Sequence, residues 1–328
     1  MPGMSATQPS PSAFSVSPAL ESAASMAAAE SAADAVAELK RPASRWLVAS
    51  VVAALVALFA PTFARLLAIW SEDPDYSHGF VVIPASLYFA YVAWQRAQER
   101  GEPLHLAGDA RWQGGLSILL GVVLHWAALL FDVLVVDVLA FIFVLRGVLK
   151  LVAGRRINEV FAFPALFLLF MAPLPPPVHQ GVAIFMQQTV AAASTLVLDL
   201  CGVPVHREGY LIHLPRGYLM EVGEACSGLR SMIAIIALAV ALGFMTNGPK
   251  WYRWTLGLMA LPIAGLANCI RIVLTGVILM NLGREYAEGL FHQLEGAVLI
   301  ALAALMLMGL SYFLLQWSTP PAKPEASQ

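Results

Sequence analysis

The sequence predicts an all-α polytopic membrane protein with about eight transmembrane helices, and three observations support this class. Of the 328 residues, 59% are apolar and 12% are charged, and the mean hydropathy is +0.74, which is too apolar for a soluble domain of this length. The apolar residues form runs long enough to cross about 30 Å of hydrocarbon. Lys and Arg are concentrated in alternate loops, as the positive-inside rule describes.

The two ends of the chain are polar. Residues 1–44 are rich in Ala, Ser and Pro, a composition that cannot bury a core. We predict that they form a disordered cytoplasmic tail, that residues 45–317 form the transmembrane domain, and that residues 318–328 form a second disordered cytoplasmic tail. Three basic residues immediately before the first apolar run place its amino end inside the cell. They are Lys40, Arg41 and Arg45.

Five of the predicted spans come before residue 178. The apolar run from Gly114 to Leu151 is about twice the length that a bilayer requires, so it predicts two helices in a hairpin. Asp132 and Asp137 are predicted to mark the outer turn of that hairpin. The other three spans are residues 46–70, 78–94 and 160–171, the last of which ends at a Pro-rich segment.

The segment Val178–Leu200 is long enough to cross the membrane but carries polar residues, including Gln187 and Ser194. If it crossed, the next helix would begin on the wrong side for the basic loop that follows it, so we predict an interfacial or re-entrant helix on the outer face. Alternating residues between Val203 and Val222 then predict a small outer β-hairpin or three-stranded piece. Three more spans follow, at residues 232–245, 254–280 and 291–317.

The distribution of basic residues orients these spans. Of the 19 Lys and Arg residues, 12 fall in the predicted inner regions, 3 in the predicted outer regions and 4 within or at the ends of spans. The three outer residues are Arg207, Arg216 and Arg284. This asymmetry predicts that both termini are cytoplasmic.

Metal, cofactor and nucleic-acid functions find no support in the sequence. The three cysteines, Cys201, Cys226 and Cys269, are scattered, and no Cys-x-x-Cys or Cys/His cluster suggests a zinc site. No Gly-rich phosphate loop or dinucleotide motif is present. We therefore predict no cofactor, no bound metal and no nucleic-acid partner, with the lipid bilayer as the surroundings of the chain.

The stretch Glu221–Arg230 places a cysteine directly before a long apolar run. A thiol is a nucleophile only as its thiolate, and a helix N-terminus or a nearby cation lowers the pKa of a cysteine. Cys226 is therefore a candidate nucleophile, and the alternative is a buried structural cysteine at a helix cap. Glu221 and Glu224 are candidates for orienting a neighbouring cation, with solvated loop carboxylates as the alternative. Arg230 is a candidate for anchoring the cysteine helix to a neighbouring element.

Two later helices carry polar residues that the topology brings to the same outer level. Arg271 lies about 27 Å along its helix from the predicted inner end, and Asn268 shares its face; a snorkelling or structurally paired arginine is the alternative. His292 begins the last span, with Glu295 placed to orient its ring. Cysteine, imidazole and guanidinium groups are what acyl transfer through a thioester requires.

The motifs of the chain, in order and spacing, resemble those of the exosortase/archaeosortase family of membrane transpeptidases. The resemblance covers residues 46–317. It rests on Asp75–Phe80, Pro173–Pro175, Arg207–Gly209, Glu224–Ser231, Asn268–Arg271 and the segment around His292. The resemblance implies a cysteine peptidase or transpeptidase in which Cys226 is the nucleophile and Arg271 and His292 are its partners.

The resemblance also implies a substrate and a location. Substrates would be exported proteins with a C-terminal sorting signal, consisting of a short Pro-Glu-Pro-like motif, a transmembrane helix and a basic cluster. The chain would lie in a bacterial inner membrane with its active site facing the periplasm, in systems that commonly accompany exopolysaccharide loci. His78 is a candidate for bordering the substrate entrance, and the alternative is an interfacial histidine in a turn.

A second class of function remains open from the residues alone. A transporter or scaffold subunit of polysaccharide export would use Arg271 to bind an anionic solute and would leave Cys226 inert. Transporters usually show internal repeats and polar sites at mid-depth, whereas no repeated halves are visible here and the polar candidates cluster at one face. The sequence is silent on the oligomeric state.

Overall fold

In the computed structural model of the chain, the described residues are 42–101, 111–222, 229–246, 248–288 and 290–318. Apart from the first residues of the first helix and the last residue of the final one, the predicted tails lie outside them. The helices are α1 (Pro42–Glu72), α2 (Gly79–Glu99), α3 (Arg111–Phe131), α4 (Leu134–Val160), α5 (Ala162–Phe167), α6 (Pro176–Leu200), α7 (Leu229–Met245), α8 (Lys250–Asn281), α9 (Arg284–Glu288) and α10 (Leu290–Ser318). Three short strands, β1 (His206–Glu208), β2 (Leu211–His213) and β3 (Leu219–Glu221), lie between α6 and α7.

The predicted class of fold, an all-α polytopic membrane protein with a small β element, is confirmed. Within the described residues, six helices are long and apolar enough to cross a membrane: α1, α2, α3, α6, α8 and α10. Shorter apolar helices are formed by residues 162–171 and 232–245. Helix α4 is not among the six, and it carries Asp137, Arg146 and Lys150 within one span length. A positive φ at Gly154 breaks its helical geometry near the carboxyl end.

Helices α3 and α4 form the hairpin that the long apolar run predicted, and glycines allow them to pack closely. A Cβ atom at Gly121 would lie 2.9 Å from the carbonyl oxygen of Ala140, and one at Gly147 would lie 2.9 Å from the carbonyl oxygen of Gly114. Real Cβ atoms essentially never come this close to a carbonyl oxygen, so the two backbones approach each other only because these side chains are absent. The hairpin is therefore the most tightly packed helix pair of the described chain.

The turn of this hairpin corrects one expectation. Asp132 does mark the turn, with a φ of 54°, and its carboxylate accepts a hydrogen bond from Arg65 of α1. Asp137 lies inside the first turn of α4 and is only 2% exposed. It is drawn inward because His125 and Thr62 supply hydrogen bonds to its carboxylate within the helix bundle.

The segment from 162 to 200 differs from the expected arrangement of a span followed by an interfacial helix. Helix α5 and a short 3-10 helix, Leu168–Met171, lead through a Pro-rich link into α6. Helix α6 lies parallel to α8, since Ser194 is 3.4 Å from Cys269 and the side chain of Leu198 lies against Gly276. The polar residues that favoured an interfacial location have protein partners: Gln187 and Ser194 are buried, and the hydroxyls of Thr189 and Thr195 donate to carbonyls of their own helix.

The strands form the predicted three-stranded antiparallel sheet, in the order β1, β2, β3. Residue Ile212 pairs with Met220, and both are buried, whereas their neighbours along the strands are more exposed. The buried face packs on the ends of the helices that follow and precede it, because Met220 also lies against Gly276 of α8. The sheet therefore sits at the end of α8 that carries Arg271.

Two apolar cores divide the helices. One core joins α6, α7, α8, α10 and the sheet, and the other joins α1, α2, α4, α5 and one face of α7. Phe163 of α5 and Phe244 of α7 connect the two, with their rings stacked at a centroid distance of 3.8 Å. Arg96 of α2 donates to the carbonyl oxygens of Phe244 and Met245, which fixes the carboxyl end of α7 against the first half.

Candidate functional site

Arg271 lies on the packed side of α8, in the part of the helix that the sheet covers. Its side chain is 8% exposed and that of Asn268, one turn earlier, is 1% exposed. The Nε and Nη2 atoms of Arg271 are buried, as is Oδ1 of Asn268. A buried guanidinium in an apolar helix costs a few kcal/mol, so its position marks a functional candidate rather than a neutral feature.

The contact between α7 and α8 defines which face carries Arg271. A Cβ atom at Gly243 would lie 3.6 Å from the Cα of Arg253, so these two positions are opposite each other in the antiparallel pair. Arg271 follows Arg253 by five full helical turns and therefore projects from the same side, toward α7. Counting back along α7 by the same rule places Leu229, its first residue, at the height of Ala267. The amino end of α7 and Arg271 are thus within about one turn of the same height.

A hydrogen bond defines the register between α8 and α10. The hydroxyl groups of Tyr252 and Ser311 are 2.7 Å apart, and both residues are buried. The helices are antiparallel, so moving the same number of residues from this pair brings Arg271 of α8 level with the backbone of His292 in α10. The two predicted partners of the cysteine therefore lie at the same height on adjacent helices.

Several predicted residues lie beyond what the structure describes. Cys226 and Glu224 fall in residues 223–228, outside the described residues. Arg230, His292 and Glu295 lie in helices α7 and α10 whose backbone is described there, whereas their side chains are outside the description. The roles predicted for these five residues stay predictions.

Glu221 and His78, the remaining candidates, are placed by clear contacts. Glu221 ends β3 opposite Leu211 and is exposed, whereas Arg271 is buried. The ring of His78 lies between two backbone carbonyls, with Nδ1 3.1 Å from the oxygen of Asp75 and Nε2 3.1 Å from the oxygen of Phe170. These contacts tie the loop before α2 to the 3-10 helix at 168–171, as the turn interpretation of His78 expects.

A buried polar cluster that the sequence did not predict lies in the other half of the molecule. The Nδ1–H group of His125 donates to Oδ1 of Asp137 at 2.6 Å, and the hydroxyl of Thr62 donates to Oδ2 of the same carboxylate at 2.7 Å. All three side chains are at most 5% exposed. A usable signal was present, because His125 and Asp137 are equally far from the middle of the hairpin turn, and a hairpin brings such positions together.

An open cleft of about 490 Å³ lies where α1, the α3–α4 turn and the Pro-rich link meet. Charged and aromatic side chains line it, including Arg65, Glu72, Asp132 and His179. Arg271 does not line this cleft. In the part of the chain that the structure describes, no group of three or more His, Cys, Asp or Glu side chains is arranged to hold a metal ion.

The thiols of Cys201 and Cys269 are both free. Cys201 is exposed at the end of α6, and Cys269 is buried against Ser194. The alternative in which Cys201 forms a disulfide with Cys226 is therefore not supported.

The chain was compared with protein-family models, with curated proteins and with solved structures. A model described as transmembrane exosortase matches residues 70–309, which is more than half of the chain and includes every candidate site residue. Neither the curated proteins nor the solved structures gave a match.

Proposed function

Because the chain belongs to the transmembrane exosortase family, we propose that it is a cysteine peptidase or transpeptidase that cleaves the C-terminal sorting signals of exported proteins. Family membership already makes it a membrane-embedded sorting protease or transpeptidase in general terms. The proposal adds the nucleophile, its partners and the side of the membrane. The observation that carries it is the common height of the amino end of α7, Arg271 and position 292.

The nucleophile in this proposal is the Cys226 thiolate. Cys226 precedes Leu229 by three residues, a chain reach of about 10 Å, and Leu229 is at the height of Ala267, one turn before Arg271. A sulfur atom close to a buried guanidinium is held as the thiolate at neutral pH. The arrangement of the described helix ends therefore supports a reactive rather than an inert cysteine.

The proposed reaction has two steps. The Cys226 sulfur adds to the backbone carbonyl beside the sorting motif, and the carbonyl oxygen becomes an oxyanion, which the Arg271 guanidinium stabilises. Collapse of this intermediate breaks the C–N bond, His292 gives a proton to the departing amine, and the membrane-anchored tail leaves. A thioester remains on Cys226. An incoming amine or water then attacks the thioester, loses its proton to His292 and releases the thiol.

Second-tier roles follow from the same geometry. Asn268, buried one turn before Arg271, is proposed to contact the substrate or hold the guanidinium in place. Glu224 and Glu295 are proposed to orient Arg271 and His292, and Arg230 to anchor α7. His78 is proposed to support the neighbouring loop, and Glu221 lies at the exposed rim.

The location of the site is proposed from charge. The asymmetry of Lys and Arg favours a bacterial inner membrane with both termini in the cytoplasm and the Arg271 end of α8 facing the periplasm. The partners of the chain would then be exported proteins whose tails span the same bilayer.

Co-expression with a protein that carries a C-terminal sorting tail tests the proposal. Mass spectrometry should find the substrate with a new C-terminus in cells with the wild-type chain, and intact substrate in cells with Cys226→Ala. The matched controls Cys201→Ala and Cys269→Ala remove the other two thiols and should process as the wild type does. Equal thermal stability of Cys226→Ala and wild type would show that the loss is chemical.

The outcomes separate the two classes of function. Intact processing by Cys226→Ala would sink the mechanism. A substrate that keeps its full mass even with the wild-type chain would favour a transporter or scaffold. Substrate-linked enzyme, trapped by denaturation and released by hydroxylamine, would identify the thioester directly.

A further inference from the structure

A basic cleft lies at the end of the bundle opposite Arg271. It has a volume of about 310 Å³, near the lower end of the range for ligand pockets, and lies where α2, the end of α4, the end of α7 and the start of α8 meet. Its walls combine charged side chains with the apolar surface of Ala93, Val160 and Phe244. The charged lining residues are Arg96, Arg100, Arg156, Arg253 and Glu159.

The charge of this cleft is strongly unbalanced. Four guanidinium groups face a single carboxylate, that of Glu159, and Arg155 outside the cleft already donates to that carboxylate at 2.8 Å. Arg156 is more distant, with Nη1 3.7 Å from the other Glu159 oxygen, and its side chain is 64% exposed. Clustered arginines repel one another, and an anion between them removes that repulsion. The cleft is therefore complementary to a negatively charged group.

The cleft also joins the two halves of the molecule. Arg96 of α2 donates to carbonyls at the end of α7, and its guanidinium lies 5.4 Å from the ring centre of Phe244. Arg253 belongs to α8, the helix that carries Arg271. An anion bound here would contact both halves at once and would hold the α7–α8 pair against α2 and α4.

An apolar groove begins beside the cleft. It has a volume of about 380 Å³ and is lined by side chains of α1, α2, α4 and α5. Phe161, one of its lining residues, directly follows Val160 of the basic cleft, and α2 contributes to both cavities. Apart from the Ser86 hydroxyl, which donates to the Pro164 carbonyl, its lining is hydrocarbon and aromatic.

We propose that this paired cavity is a binding site for an acidic phospholipid, with the phosphate headgroup in the basic cleft and an acyl chain in the apolar groove. Basic pockets between membrane helices on the cytoplasmic side recognise anionic headgroups, and the basic residues of this chain concentrate on that side. The occupant is a lipid rather than a soluble phosphate because the polar and apolar cavities adjoin each other along one helix. The bound lipid acts as a clamp between the two halves.

The test uses the full chain in nanodiscs and in detergent. Thermal unfolding and native mass spectrometry are measured with phosphatidylglycerol, with phosphatidylcholine and with glycerol phosphate as the soluble headgroup. We expect phosphatidylglycerol to remain bound in the mass spectra and to raise the unfolding temperature above the value with phosphatidylcholine. Glycerol phosphate should give neither effect at equal concentration.

Matched variants locate the site. Arg156→Gln with Arg253→Gln should weaken phosphatidylglycerol binding at least tenfold, at about fivefold per arginine. Glu159→Gln should strengthen it severalfold, because the only acidic lining residue is neutralised. Arg111→Gln, which removes an exposed arginine outside the cleft, should leave binding unchanged.

Three results would overturn the inference: equal binding of the two lipids by the wild-type chain, unchanged binding by the double arginine variant, or a response to glycerol phosphate as large as that to the lipid. The Glu159→Gln variant keeps the test informative if the arginine variant folds poorly, since loss of affinity in that variant would also contradict the proposed charge complementarity.

Discussion

Two clusters of buried polar side chains lie in this protein, one in each half. In the first half, His125, Asp137 and Thr62 bind one another inside the α1, α3 and α4 bundle. In the second half, Arg271 and Asn268 lie on α8 at the height where α7 begins and α10 approaches. The first cluster is enclosed by helices that continue past it, whereas the second adjoins helix ends and the loops between them.

The difference separates a structural from a catalytic use of buried charge. A polar cluster closed within helices specifies how those helices pack. A buried cation beside chain segments that begin and end there is open to a substrate or a nucleophile. Mutations should therefore affect stability in the first cluster and rate in the second.

The largest expected effect belongs to Arg271. On the proposed mechanism, Arg271→Gln removes the group that stabilises the oxyanion and should lower kcat by about 10²-fold to 10³-fold. Arg271→Lys should rescue only part of the loss, since an ammonium group lacks the planar pair of donors. The measurement is the rate of substrate processing by purified enzyme. The control is Arg207→Gln, an exposed arginine of β1 that should process normally; equal rates for Arg271→Gln and Arg207→Gln would remove Arg271 from the site.

The next effect is on the stability of the first half. His125→Leu leaves the Asp137 carboxyl buried with Thr62 as its remaining partner in this cluster, and should destabilise the fold by about 3 kcal/mol. The double variant His125→Leu with Asp137→Leu should be more stable than His125→Leu alone, because no buried carboxyl remains. Thermal unfolding in detergent measures both.

The exposed Arg65–Asp132 pair provides the control for that experiment. Its side chains are 45% and 78% exposed, so Asp132→Ala should cost less than about 1 kcal/mol. A double variant as unstable as the sum of its two single variants would show that His125 and Asp137 act independently.

A smaller effect is expected at the hairpin glycines. Gly147→Ala places a Cβ 2.9 Å from the Gly114 carbonyl oxygen and the Ile118 nitrogen, and the helices must move apart at a cost of about 1–3 kcal/mol. Gly115→Ala meets no atom within 4 Å and should be neutral or slightly stabilising. Equal unfolding temperatures for the two variants would contradict the close packing of α3 and α4.

The smallest effect is expected at the pair that defines the α8–α10 register. Tyr252→Phe removes the hydrogen bond to Ser311 and should cost about 0.6 kcal/mol, the typical value between membrane helices. Tyr312→Phe, at an exposed position of α10, is the control. A processing rate that falls as far as that of Arg271→Gln would mean that this contact does more than stabilise the helix pair.

Some of the fold and the site was accessible from the sequence, for identifiable reasons. Apolar run length predicted the α3–α4 hairpin, and alternating residues with turn signals predicted the sheet. Helical rise placed Arg271 near the outer boundary, and the structure keeps it buried at the end covered by the sheet. These features depend on local spacing alone.

Other features depend on partners that spacing does not identify. The polar residues of α6 favoured an interface because a sequence does not show that Ser194 meets Cys269 or that Gln187 is buried. Asp137 was assigned to a turn because its partner His125 lies on another helix. Register between α8 and α10 depends on one hydroxyl pair, Tyr252 and Ser311, among many polar residues.

The length of α8 has a consequence for which substrates the enzyme accepts. At 32 residues the helix is about 48 Å long, and Arg271 stands about 27 Å from Arg253. On the proposed function, a substrate tail lying beside α8 is held with its cationic end at one membrane surface and its scissile bond at the height of Arg271. The enzyme then works as a molecular ruler, which selects substrates by the number of residues between cleavage site and basic cluster rather than by the identity of those residues.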